Sequence, residues 1–100
     1  MELPLTDEVR AIARRIVWFE EPEVSTANLP RFLAYAFRYA THDDMTRLRQ
    51  HLSDDDLRAA LEAAPPGIID GRSWAFWRLR FDLPDKPLPE RRLAAVSATG

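Results

Sequence analysis

The sequence predicts an all-α domain of about five short helices, followed by an extended, proline-rich C-terminal tail. Three observations carry this reading. Apolar residues recur at helical spacing in five successive stretches. Side chains that cap helices (Thr6, Asn28, Thr41, Ser53, and Asp70 or Ser73) stand in front of those stretches. Strand signals are nearly missing, with no sustained two-residue alternation and no hairpin turn between apolar runs.

The first helix starts after Thr6, where Asp7 and Glu8 suit the positive end of the helix dipole. Val9, Ile12, Ala13, Ile16 and then Phe19 or Glu20 form its apolar stripe, with Arg10, Arg14 and Arg15 off it. The run Trp18-Phe19-Glu20-Glu21-Pro22 ends it, because a residue before proline is pushed out of the helical region. Residues 22–28 read as a loop. The second helix starts after Asn28, with Pro30 tolerated in its first turn. Leu29, Phe32, Leu33, Ala36, Phe37 and Ala40 make its stripe, and Arg31, Tyr35, Arg38 and Tyr39 occupy the other side. This is the most apolar stretch, so it is expected at the centre.

The third and fourth helices open on capping boxes that use Asp in place of Glu: Thr41 with Asp44, and Ser53 with Asp56. Met45, Leu48 and Leu52 follow the first box; Leu57, Ala60, Leu61 and Ala64 follow the second. Pro65-Pro66-Gly67 breaks the chain, and Ile68-Ile69 reads as a short buried connection. The last helix runs to about Phe81. Trp74, Trp77 and Phe81 share one face, and Arg72, Phe76 and Arg80 share another. Pro84, Pro87 and Pro89 then forbid regular structure. The expected organisation is a single helical domain over 1–83 and an extended or disordered tail over 84–100, fraying over 94–100.

Composition narrows the function. One hundred residues support one domain. No apolar run reaches the ~18 residues of a membrane span. Met1-Glu2-Leu3-Pro4 lacks the basic and apolar segments of a secretory leader, so the expected location is the cytoplasm. Cysteine is absent, which removes disulfides, thiolate nucleophiles and Cys-ligated zinc. The net charge of −2 disfavours bulk attraction to nucleic acid.

The chemical motifs have plain explanations. Asp54-Asp55-Asp56 is a solvated helix start, since consecutive helical positions diverge by about 100° and cannot converge on one cation. His42 and His51 sit near opposite ends of one helix and cannot share a metal. No Gly-x-Ser-x-Gly turn surrounds any serine, and Gly67, Gly71 and Gly100 cannot form a phosphate-cradling loop. No enzymatic activity, cofactor or metal is therefore expected.

Aromatic and Arg side chains outside the core stripes are the better lead, because Tyr, Trp and Arg dominate interface hot spots. The candidate partner-binding residues are Arg31, Tyr35, Arg38 and Tyr39 on the second helix, and Arg72, Phe76 and Arg80 on the last. They point to a protein partner, with a second copy of the chain as another candidate. A DNA-binding regulator is the alternative, reading through Arg72, Arg78 and Arg80 with Arg91-Arg92. The two helices that mimic a helix-turn-helix would present three aspartates to the phosphates.

A family resemblance sharpens this. Val17-Trp18-Phe19, the run Arg31 to Thr41, Asp54-Asp55-Asp56-Leu57 with Ala60-Leu61, and above all Pro65-Pro66-Gly67-Ile68-Ile69-Asp70-Gly71-Arg72-Ser73-Trp74-Ala75-Phe76-Trp77 carry it. Together they resemble small bacterial proteins encoded beside nucleotidyltransferase toxins of the abortive-infection (AbiEii-like) group. The resemblance covers most of residues 16–81. It implies a helical antitoxin that binds and neutralises its toxin, and it implies no catalytic residue. Relatives often carry Gly where this chain has Ala40, so the helix boundary there is expected to differ. The acidic helix starts at Asp43, Asp44 and Asp54 to Asp56 could mimic phosphates toward a basic toxin cleft. The Tyr–Arg face or the tail could dock instead.

Overall fold

The computed structural model describes residues 3–84 and 86–88, and these are all helical or irregular, with no strand. The helices are α1 (Asp7–Ile16), α2 (Pro22–Ser25), α3 (Leu29–Tyr39), α4 (His42–Leu48), α5 (Asp54–Glu62) and α6 (Gly71–Arg80). Helix α3 lies at the centre and packs on α1, α2, α5 and α6, while α4 packs on α1. Phe32, Leu33, Leu48, Leu57 and Leu61 are fully buried in the shared core.

The caps are those the sequence announces. Thr6, Asn28, Thr41, Ser53 and Asp70 each accept a hydrogen bond from a first-turn backbone N–H. Both capping boxes are complete: the Asp44 and Asp56 carboxylates accept from the Thr41 and Ser53 backbone N–H groups in return. Of the two candidate caps for the last helix, Asp70 is the one used, at 2.8 Å from the Ser73 N–H.

Three boundaries differ from expectation. Residues 22–28 are not all loop, because Pro22–Ser25 forms one turn of helix and raises the count to six. Pro22 starts that turn as well as ending what precedes it: its missing N–H costs nothing at a first helical position. The Ser25 and Thr26 hydroxyls then donate to its carbonyl. Helix α1 correspondingly stops at Ile16, and the Glu20 N–H bonds the Val17 carbonyl in a turn that reverses the chain. Phe19 is thereby half-exposed, off the core stripe. Helix α4 ends at Leu48, with Leu52 buried in the turn beyond it.

Helix α6 ends in a Schellman motif. The Leu83 N–H bonds the Arg78 carbonyl at 2.8 Å and the Asp82 N–H bonds the Leu79 carbonyl at 3.1 Å. Asp82 takes the left-handed position, with φ 56°, where glycine is the usual residue. Asp82→Gly should therefore stabilise the fold, by about 0.5 kcal/mol in urea denaturation. The motif folds the following chain back over α6. The Arg78 Nε–H donates to the Pro84 carbonyl and the Trp74 indole N–H to the Lys86 carbonyl, each at 2.8 Å. Leu83 and Leu88 pack against the core. The start of the expected tail is thus irregular but docked, while its course over 89–100 lies outside the described residues.

Candidate functional site

The candidate residues fall on two separate surfaces. The first is an aromatic ridge. Tyr35 and Tyr39 are one turn apart on α3 with rings stacked at 6.5 Å. Phe19 meets Tyr35 edge-on at 5.8 Å, and Trp18 meets Phe19 edge-on at 5.5 Å. The Val17–Glu20 turn thus extends the α3 face by two rings. Trp18 is 78% exposed, Tyr39 54% and Phe19 50%, while Tyr35 is half-buried beneath them.

The two arginines of this face are braces for the rings. Arg31 makes a two-point bond to Glu20 at 2.8 and 3.1 Å, and its guanidinium lies 5.3 Å from the Tyr35 ring centre. The bond to Glu20 holds its pKa above the ordinary value. Arg38 covers the Tyr39 ring at 4.9 Å and donates to the Ile68 carbonyl at 3.1 Å, tying α3 to the connection before α6. Each thus holds one ring of the ridge by a cation–π contact.

The second surface is a groove of about 400 Å³ between α4 and α6, which do not pack closely on each other. Its volume is within the range of ligand clefts, about 300–1,000 Å³. Phe37, Ala40, Met45 and Trp77 line it with apolar surface, and Arg72, Phe76 and Arg80 form one side. Arg49, His42 and Thr46 face them from α4 and the turn after it. Trp77 is fixed there because its indole N–H donates at 2.8 Å to the Phe37 carbonyl, near the C-terminal end of α3. Its ring lies 5.3 Å from Phe37 and 5.6 Å from Phe81. Phe76 stands edge-on to Trp77 at 5.0 Å and is 56% exposed.

The sequence-predicted candidates thus lie on two faces, and the structure adds further residues to each. Trp18 and Phe19 belong to the ridge, and their signal was two adjacent aromatics at a helix end. Met45, Arg49 and His42 belong to the groove, and only the approach of α4 to α6 reveals that. One expectation is overturned. Arg78, taken as a base-reading candidate, is 3% exposed. It pairs with Glu62, donates to Pro84 and lies 5.0 Å from the Trp74 ring centre. The pair with Arg78 holds the Glu62 pKa below the usual carboxylate range.

The acidic helix starts are largely spent internally. Asp44 is buried and takes a two-point bond from Arg15 at 2.6 and 2.7 Å. That bond, with the Thr41 contacts, lowers its pKa from 3.8 to about 2 despite the opposing effect of burial. Asp43 pairs with Arg47, Asp54 with Arg49 and Asp55 with Arg58, while Asp56 closes its capping box. No group of three or more metal-ligating side chains converges among the described residues.

Comparison with known proteins gives no match, whether by family model, by curated sequence or by solved structure.

Proposed function

We propose that this chain is a non-enzymatic protein-binding module that neutralises a nucleotidyltransferase-type toxin by direct contact through its aromatic ridge. The observation that carries the reading is the continuous run of Trp18, Phe19, Tyr35 and Tyr39, largely open to solvent and braced by Arg31 and Arg38. A monomer has little reason to order four rings at its surface, and such patches mark interaction sites. Aromatic side chains backed by fixed neighbours are the hot-spot type, and here their ordering cost is met before binding. The choice of toxin class comes from the resemblance of residues 16–81 to toxin-neighbouring proteins.

The ridge favours occlusion by docking over phosphate mimicry, since Asp43, Asp44, Asp54 and Asp55 are paired with the chain's own arginines. The regulator reading keeps Arg72 and Arg80 but loses Arg78 to the interior; Arg91-Arg92 lie outside the described residues.

The test is co-expression with the product of the neighbouring gene, which this reading expects to be a nucleotidyltransferase. The two should purify together, and the chain should restore growth that the toxin arrests. Two soluble proteins that do not associate would overturn the reading. A promoter-specific gel shift at low salt, in the absence of any toxin complex, would replace it with the regulator.

A further inference from the structure

We infer that the groove between α4 and α6 docks an acidic peptide segment carrying one large apolar anchor. The inference takes from the proposed function only that the partner is a protein. It rests on residues that the ridge does not use.

Charge accounting points to the groove. Of the eleven arginines among the described residues, nine are paired with a carboxylate of this chain. The two without such a pair among the described residues are Arg72 and Arg80, and both line this groove. They lie on one face of α6, about 12 Å apart along its axis at 1.5 Å per residue. Both are exposed, so their guanidinium groups are open to a partner.

Between the two charges the surface is mainly apolar. Trp77 and Phe76 are ordered edge-on to each other, and Phe37 and Met45 complete a concavity of about 400 Å³. That volume takes a large aliphatic or aromatic side chain with backbone on either side. The complementary occupant therefore has an apolar residue for the concavity and carboxylates flanking it, so that each guanidinium gains a planar two-point partner. An amphipathic helix laid in the groove, or a short extended segment, meets that spacing. Nucleic acid would satisfy the arginines but would leave the concavity to be filled by a base. A second copy of the chain offers acidic helix starts whose carboxylates are mostly spent: Glu8, Glu23, Asp43, Asp44, Asp54 and Asp55 are paired with its own arginines, and Asp56 is held in its capping box.

The test selects random twelve-residue displayed peptides on the full chain, with counter-selection on an Arg72→Ala/Arg80→Ala double variant. Circular dichroism verifies that both are folded. Enriched peptides should be net acidic around a Leu, Phe or Trp. The best of them, synthesised, should bind the double variant at least tenfold more weakly than the parent. Its amide shift changes should map to α4 and α6, and a single-stranded oligonucleotide should not displace it. Recovery of no acidic peptide, undiminished binding to the double variant, shifts confined to the ridge, displacement by the oligonucleotide, or occupation of the groove by a second copy would each overturn the inference. The two proposals fail separately. A toxin held by the ridge, with no acidic peptide selected at the groove, removes only the groove inference. A chain that selects acidic peptides and ignores the toxin removes only the antitoxin reading.

Discussion

Trp74→Ala should cost about 4 kcal/mol and lower the melting temperature by roughly 20 °C. Trp74 is 4% exposed, so its removal forfeits a large apolar transfer term and leaves a cavity that the helices around it cannot close. Two further losses are specific to this site. The indole N–H is the clamp on the Lys86 carbonyl, so the chain beyond α6 loses an anchor. The ring also covers the Arg78 guanidinium, whose Nη2 is buried without a partner among the described residues. Uncovering one face of that buried charge exposes how little else compensates it, beyond Glu62 and the Pro84 carbonyl. Trp74→Phe separates the effects. It keeps most of the apolar area and loses the indole bond, so it should cost about 1 kcal/mol. A domain of this size holds about 5–15 kcal/mol in total, so the alanine variant should be near the edge of folding at 37 °C. Urea denaturation followed by far-ultraviolet circular dichroism measures both.

Asp44→Ala should cost about 3 kcal/mol, far above the norm for an acidic residue at a helix start. The carboxylate does two tasks at once: it closes the Thr41 capping box, and it receives Arg15 from α1. Its side chain is 4% exposed against 56% for Arg15, so the pair holds a buried anion with a cation that can still reach water. The pH dependence follows from the lowered pKa. The carboxyl titrates near 3.8 when unfolded and at about 2 when folded. Its contribution, roughly 2 kcal/mol, is complete above the unfolded value and is lost as the pH falls through the folded one. Stability measured from pH 5 down to pH 2 should therefore fall more steeply in the parent than in Asp44→Asn. The amide keeps an acceptor for the Thr41 N–H but cannot titrate. Equal slopes would show that the Arg15 bond does not hold in solution.

The fold was legible where the information is local. A Ser or Thr three residues ahead of an Asp fixes a helix start by hydrogen bonds within one turn, so both capping boxes could be read directly. The α3 stripe was legible because eleven residues give several repeats of the period. Helix α2 was not, since four residues carry no period and Pro22 signals an end as strongly as a beginning. The burial of Arg78 was half-visible. It lies four residues after Trp74, on the buried face, but its charge argued for solvent until Glu62 and Pro84 were seen to receive it.

The candidate surfaces divide the same way. Tyr35 with Tyr39, and Arg72 with Phe76 and Arg80, are one or two helical turns apart and could be grouped by spacing alone. The Asp44–Arg15 bond spans 29 residues, and the groove depends on α4 standing beside α6 without packing on it. Neither leaves a local mark in the sequence. Among the described residues most arginines pair with carboxylates of the same chain, which leaves Arg72 and Arg80 as the exceptions.

The central claim is that the aromatic ridge exists for binding and not for stability. Calorimetric titration of the proposed partner, a nucleotidyltransferase-type toxin, with the parent chain and with a Trp18→Ala/Tyr39→Ala double variant tests it most directly, with thermal melts of both alongside. The account predicts at least a hundredfold weaker binding, about 3 kcal/mol, with the melting temperature moved by no more than a few degrees. Unchanged affinity, or a double variant that loses its stability instead, would contradict it.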